Sequence, residues 1–283
     1  MSQPFSVHYH FEGSYTASGD GDETFEGNLQ NVRLANKHDM GVFIISPYDK
    51  GGRLYAPSHL LRELTLPEME PTEFGSHWLW SHNEHKKGVT AHCHTIVCGA
   101  ARASDLDQPV LAALRTVNEP AAVKTDFEVV HRRIQERKES VFGKDWADKW
   151  QVGLPNYYQS EKGSQLGNMV WLYNVVHMFG LLDFAKERYG TLTGNLARWD
   201  KSKSWKENVF ANPGFNWMPG CGFDPEADYS EELKDVPEES LSRVKEALQF
   251  VLDWCSVDSN KEVPLEWETA YDMRPWTAFP ERS

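Results

Sequence analysis

A chain of 283 residues, 40% of them hydrophobic and 25% charged, is long enough to bury a sizeable core and has a globular composition, which excludes a disordered or fibrous protein. With 29 Lys and Arg against 42 Asp and Glu the net charge is -13, so nucleic acid and anionic membrane surfaces repel it at long range and neither is an expected partner. No apolar run approaches the roughly 20 residues of a membrane helix, and Met1–Tyr9 lacks the basic start and apolar core of a signal peptide, so a cytoplasmic protein is expected.

In chain order, Phe5, Val7, Tyr9 and Phe11 alternate with Ser6, His8 and His10, a period of two that predicts a strand. After the polar stretch Ser14–Asp22, the residues Phe25, Leu29, Val32 and Ala35 fall at helical spacing, with Gly41 as the stop. Val42–Ile45 is a continuous apolar run of the kind found in buried parallel strands. Beyond the loop Ser46–Ser58, helices are predicted at Leu60–Leu64 and Thr72–Trp80, the latter with Pro71 at its start. Thr95–Cys98 is a second buried apolar run, and Ser104-x-x-Asp107 is a capping-box-like start for a helix carrying Leu106, Val110 and Leu114. Strand and helix alternate three times, which predicts parallel strands with right-handed crossovers, as in a doubly wound sheet or an eight-fold barrel.

Past residue 120 the pattern turns helical and aromatic, with helices predicted near Thr125–Ser140, Leu166–Arg188 and Glu239–Cys255. The last carries Leu241, Val244, Leu248, Val251 and Cys255 on one stripe, with Arg243, Lys245 and Glu246 opposite. Gly153–Pro155 and Pro213–Pro225 read as loops, and Pro264–Ser283 as a tail suited to lying across a surface.

Several side-chain groups invite chemistry. His8-x-His10 and His92-x-His94 each put two imidazoles on one strand face, as some metal-dependent hydrolases do. A third and fourth ligand are not evident, so no metal site is assigned. Cys93 and Cys98 lie five apart, point to opposite faces of a strand and fit core packing. The four cysteines, with no CxxC pair, predict neither a disulfide framework nor a zinc ribbon. Asp49 and Lys50 read as a solvated loop pair, and the apolar residues of Trp171–Phe184 as core.

The loop Ser46-Pro47-Tyr48-Asp49-Lys50-Gly51-Gly52-Arg53-Leu54, placed after an apolar strand, resembles the SPLxxGxL turn after the seventh strand of aldo/keto reductases. Its surroundings resemble the family as well: the Asn28-Leu29 helix before it, the Pro71–Trp80 helix after it, then a strand ending in Gly99-Ala100-Ala101 and a helix from Ser104. Order and spacing agree over roughly 115 residues. Gly167–Gly190 resembles the helical extension of a branch whose members often carry a ferredoxin-like cysteine cluster; those cysteines are missing here, so no iron–sulfur centre is expected.

The resemblance implies an α/β fold, with a partial (β/α)8 TIM-type barrel of the last three βα units over 1–120 and a mostly α-helical C-terminal extension over 121–283. It implies NADP as cofactor and hydride transfer between the nicotinamide and a small-molecule carbonyl or alcohol. By position Ser46, Tyr48 and Gly51 would border the pyrophosphate, and Gly99, Ala100, Ala101 and Arg102 the phosphate end. Asp105 and Asp107 stand where members tend to have Gln, Arg or Glu, and Pro109 where they tend to have Asn. A carboxylate beside a phosphate weakens binding, so affinity would rest on Arg102, with Lys50 or Arg53 in support.

The family's catalytic Asp, Tyr, Lys and His come from the first half of its barrel. No residue here matches them, so no catalytic residue is assigned and the chain by itself is expected to be inert or weak. Three βα units would leave open sheet edges. The expected cover is a partner chain, self-association, the Thr125–Ser283 region, or upstream residues lost from a truncated gene model, which is the favoured account. A non-catalytic scaffold or degenerate fragment is the alternative, and a metal-dependent hydrolase built on His8-x-His10 and His92-x-His94 is the second.

Overall fold

The computed structural model describes residues 28–45, 47–48, 53–85, 93–99, 103–155, 159–160, 163–204, 206–208 and 220–270. The helices are α1 (Asn28–Lys37), α2 (His59–Thr65), α3 (Pro71–His85), α4 (Asp107–Asn118), α5 (Pro120–Lys149), α6 (Leu166–Phe179), α7 (Leu182–Leu196) and α8 (Glu238–Cys255). The strands are β1 (Phe43–Ile45) and β2 (Thr95–Val97). The chain divides into two compact units, one holding the described residues up to Arg137 together with 264–270, the other running from Lys138 to Val263.

In the first unit, β1 and β2 pair in parallel, Phe43 against Thr95, Ile44 against Ile96 and Ile45 against Val97. The two predicted strands and their parallel sense are therefore present, with α2 and α3 in the crossover between them. The partial (β/α)8 barrel is not. Among the described residues the sheet has two strands of three residues each, and the predicted strand at Phe5–Phe11 lies outside those residues. A barrel closes only when many longer strands tilt and stagger around a common axis; a three-residue pair has too little ladder to curve. Nor are the apolar runs buried on both faces. Ile44 is fully buried, but Phe43 on the opposite face is 65% exposed and Val97 47% exposed.

Helices carry the core of this unit instead. Pro71 opens α3, where its missing N–H costs nothing. α3 packs on α4, and Phe74 stacks on Phe127 of α5 at 4.9 Å. Ser58 caps α2 by accepting the Leu61 N–H at 3.0 Å. An ion network ties these helices: Arg133 grips Glu68 with two hydrogen bonds of 2.6 Å, while Arg115 bonds Glu73 at 2.7 Å and also reaches Asp126. The tail residue Thr269 forms an antiparallel bridge with Ser58, and Trp267 is buried, so the start of the tail does lie on this unit. The capping box expected at Ser104 is replaced by a 3-10 turn, Ala103–Leu106, before α4. The apolar stripe Leu106, Val110 and Leu114 is exposed, because α4 buries Pro109 and Ala112 instead.

In the second unit α8 packs on α6 and α7. The predicted stripe is buried at Val244, Leu248, Val251 and Cys255, widened by Ala247 and Phe250, while Leu241 is half-buried. Each such side chain contributes about 1.5–3 kcal/mol when fully withdrawn from water. The single helix predicted over Leu166–Arg188 is two helices, because the chain turns at Gly180. α6 is buried almost all round, and its fully buried amide, Asn174, accepts the indole N–H of Trp146 on Oδ1 at 2.9 Å. This unit has an aromatic cluster, with Tyr173, His177, Phe250 and Trp254 in successive ring contact.

Candidate functional site

Because β1 and β2 run parallel and in register, the segments following them leave the sheet from the same edge. That edge, the carboxyl end of adjacent parallel strands, is where open α/β sheets take their ligands. Of the residues expected to border a cofactor, Tyr48 and Gly99 are described; Ser46, Gly51, Ala100, Ala101 and Arg102 lie outside the described residues.

Tyr48 turns its side chain inward and is 2% exposed. Its ring meets Tyr55 edge-on at 5.1 Å, and its hydroxyl lies 2.8 Å from Ser76 Oγ on α3. Ser76 Oγ donates to the Thr72 carbonyl at 2.8 Å, so it has no proton left for Tyr48 and must accept from it. The Cys98 thiol donates to the Tyr48 oxygen at 3.5 Å. The result is a one-way relay from Cys98 through Tyr48 and Ser76 to the Thr72 carbonyl, in which each bond polarises the next. Thr72 in turn donates through its hydroxyl to Gln108 of α4. Burial pushes the Tyr48 hydroxyl far above the usual phenol range, which keeps it protonated. Its side chain is thus committed to the protein, and only its backbone can face a ligand. Burial also raises the Cys98 thiol, partly offset by the Tyr48 bond.

Gly99 is exposed, and a Cβ there would meet nothing within 4 Å. Next along the chain Asp105 is buried and Asp107 exposed, so one of the two carboxylates expected to oppose a phosphate is withdrawn from water. Asp105 adds its charge to the burial that raises Tyr55, whose hydroxyl is buried with no hydrogen-bond partner.

Of the paired histidines, His94 accepts the Val42 N–H on its Nδ1 at 3.0 Å; His8, His10 and His92 lie outside the described residues. Among the described residues no group of three or more His, Cys, Asp or Glu is placed to hold a metal. A contact that the sequence did not announce joins α3 to α4: the buried His77 has its Nδ1 3.3 Å from the half-buried Thr116, and its Nε2 lies 3.5 Å from Glu73 of its own helix. The Thr116 hydroxyl donates to Ala112, so His77 Nδ1 is the donor in that contact. All four cysteines are free.

The sequence singled out Tyr48 and Gly99 as cofactor neighbours and gave no sign of Ser76 or of the part played by Cys98. Their relay joins residues 28 and 50 positions apart, and no local pattern marks such a pairing.

No protein-family model, curated protein or solved structure matches the chain, so nothing in these comparisons identifies an aldo/keto reductase, an oxidoreductase or an NADP protein. Among the described residues no helix is long and apolar enough to cross a membrane.

Proposed function

We propose that this chain is an aldo/keto reductase-like oxidoreductase component that holds NADP by the segments following β1 and β2. The observation that carries the reading is the juxtaposition of those segments at one edge of two adjacent parallel strands. On the resemblance, Ser46, the Tyr48 backbone and Gly51 serve the pyrophosphate, and Gly99, Ala100, Ala101 and Arg102 serve the phosphate end. Small residues there let backbone N–H groups approach an anion, and the Arg102 guanidinium adds the charge that offsets Asp107. When bound, NADP supplies or accepts the hydride exchanged with a small carbonyl or alcohol. The chain's own part is to grip and orient; on the resemblance no residue of it matches the family's proton donor to the reacting oxygen, so by itself it is expected to turn over little or nothing. The cytoplasm suits it, since free thiols stay reduced there.

The test is NADPH binding to the purified full chain by fluorescence titration, beside Arg102→Ala. The expected result is micromolar binding in the parent, weakened in the variant by about 10- to 100-fold, as loss of a charge-assisted contact of about 1.5–3 kcal/mol requires. Absence of binding by a well-folded chain overturns the reading and leaves a non-catalytic scaffold.

A further inference from the structure

We propose that Tyr48 is the positioning residue that latches the segment after β2 to the segment after β1, acting through the relay Cys98–Tyr48–Ser76–Thr72. In its binding arm this rests on the function proposed above; the latch itself does not. Tyr48 stands two residues past Ser46 and Cys98 immediately before Gly99, so one phenol oxygen joins the two segments that would face the cofactor. The same phenol anchors both to α3 through Ser76, and the Ser76 bond to Thr72 fixes the direction of every proton in the chain. Tyr55 packs against the Tyr48 ring and offers it no hydrogen bond, so the relay is the only polar restraint on the Tyr48 hydroxyl among the described residues.

Cys98 makes the latch measurable. It is half-buried, whereas Cys93, Cys221 and Cys255 are 7%, 0% and 3% exposed, with thiols that burial pushes up to about 11, 12 and 12. A thiol reagent applied to the native full chain therefore reads Cys98 first, and Cys98→Ala identifies its phase. Tyr48→Phe keeps the ring and removes both hydrogen bonds. The expected result, with each rate divided by the thiolate fraction read from that variant's own pH–rate profile so that loss of the Tyr48 bond to the thiol does not mask it, is labelling of Cys98 about 10-fold faster than in the parent, the ratio that corresponds to losing about 1.4 kcal/mol of closure. Ser76→Ala, which leaves Tyr48 in place but takes away its acceptor, should move the rate in the same direction. Should Tyr48→Phe fail to fold, all four thiols label together and Ser76→Ala decides. An unchanged Cys98 rate in a folded variant overturns the latch.

Cofactor binding supplies the second readout. NADPH should bind about 10-fold more weakly to Tyr48→Phe and to Cys98→Ala, while Cys98→Ser, whose hydroxyl still donates to Tyr48, should bind as the parent does. Equal binding by Cys98→Ala and Cys98→Ser overturns the positioning role. If the parent binds no NADPH, the proposed function fails while the labelling rates still decide the latch.

Discussion

Replacing Gly153 with Ala adds one methyl group where the second unit has no room for it. Gly153 sits at φ +75, and a Cβ there would overlap the Asp235 carbonyl and the Val236 nitrogen. These are main-chain atoms and cannot rotate aside. The left-handed backbone costs about 1–2 kcal/mol for any residue with a Cβ, and the forced shift of packed backbone adds about 1–3 kcal/mol, so the expected loss is about 2–5 kcal/mol. Gly143→Ala separates the two contributions, since Gly143 interrupts α5 at φ 72 and ψ 159 but a Cβ there meets nothing within 4 Å. That variant should show only the conformational cost, about 1–3 kcal/mol. Urea unfolding followed by tryptophan fluorescence measures both; at a slope of about 1–3 kcal/mol per molar, Gly153→Ala should lower the midpoint by at least about 0.7 M. A loss at Gly153 below about 1 kcal/mol, or one no larger than at Gly143, would refute the packing described around Asp235.

Two other predictions concern hydrogen-bonded polar groups. Trp146→Phe leaves the Asn174 carbonyl oxygen without its donor inside a buried helix and should cost about 1–3 kcal/mol, whereas adding Asn174→Leu should recover much of that loss; a double variant no more stable than the single one would contradict the pairing. Stability of the first unit should fall with acid. The hydrogen bonds from Arg133 hold Glu68 below its ordinary 4.5; burial raises Glu73, but His77 and Arg115 outweigh it and leave that group lowered too. A depressed carboxyl contributes stability that is present above the unfolded value and lost as pH falls through the folded one, so the loss should begin near pH 4.5 and deepen below it. Urea midpoints measured from pH 7 to pH 3 should show this, and Arg133→Met should flatten the slope; an equal slope in the variant would count against the Glu68 pairing.

Much of the local structure was legible before any coordinates. α2, α3, α8 and the two strands fall where spacing and punctuation put them, because a helix stripe, a proline at a first turn and an apolar run are properties of neighbouring residues. The parallel sense of the two strands likewise followed from the alternation of elements.

Burial was another matter, since it depends on partners far away in sequence. Apolarity at Phe43, Val97, Val110 and Leu114 reads as core, yet these side chains are exposed because among the described residues no element covers their faces, and a pair of three-residue strands supplies no ladder from which a barrel could close. Conversely, Tyr48 reads as a loop residue beside a ligand, and only the approach of α3 and β2 turns it inward to join Ser76 and Cys98. The sequence by itself determined where most helices and both described strands fall, though not the break at Gly180; tertiary structure alone decided which face of each is buried and which hydroxyl meets which thiol, because those outcomes depend on distances between residues the chain keeps far apart.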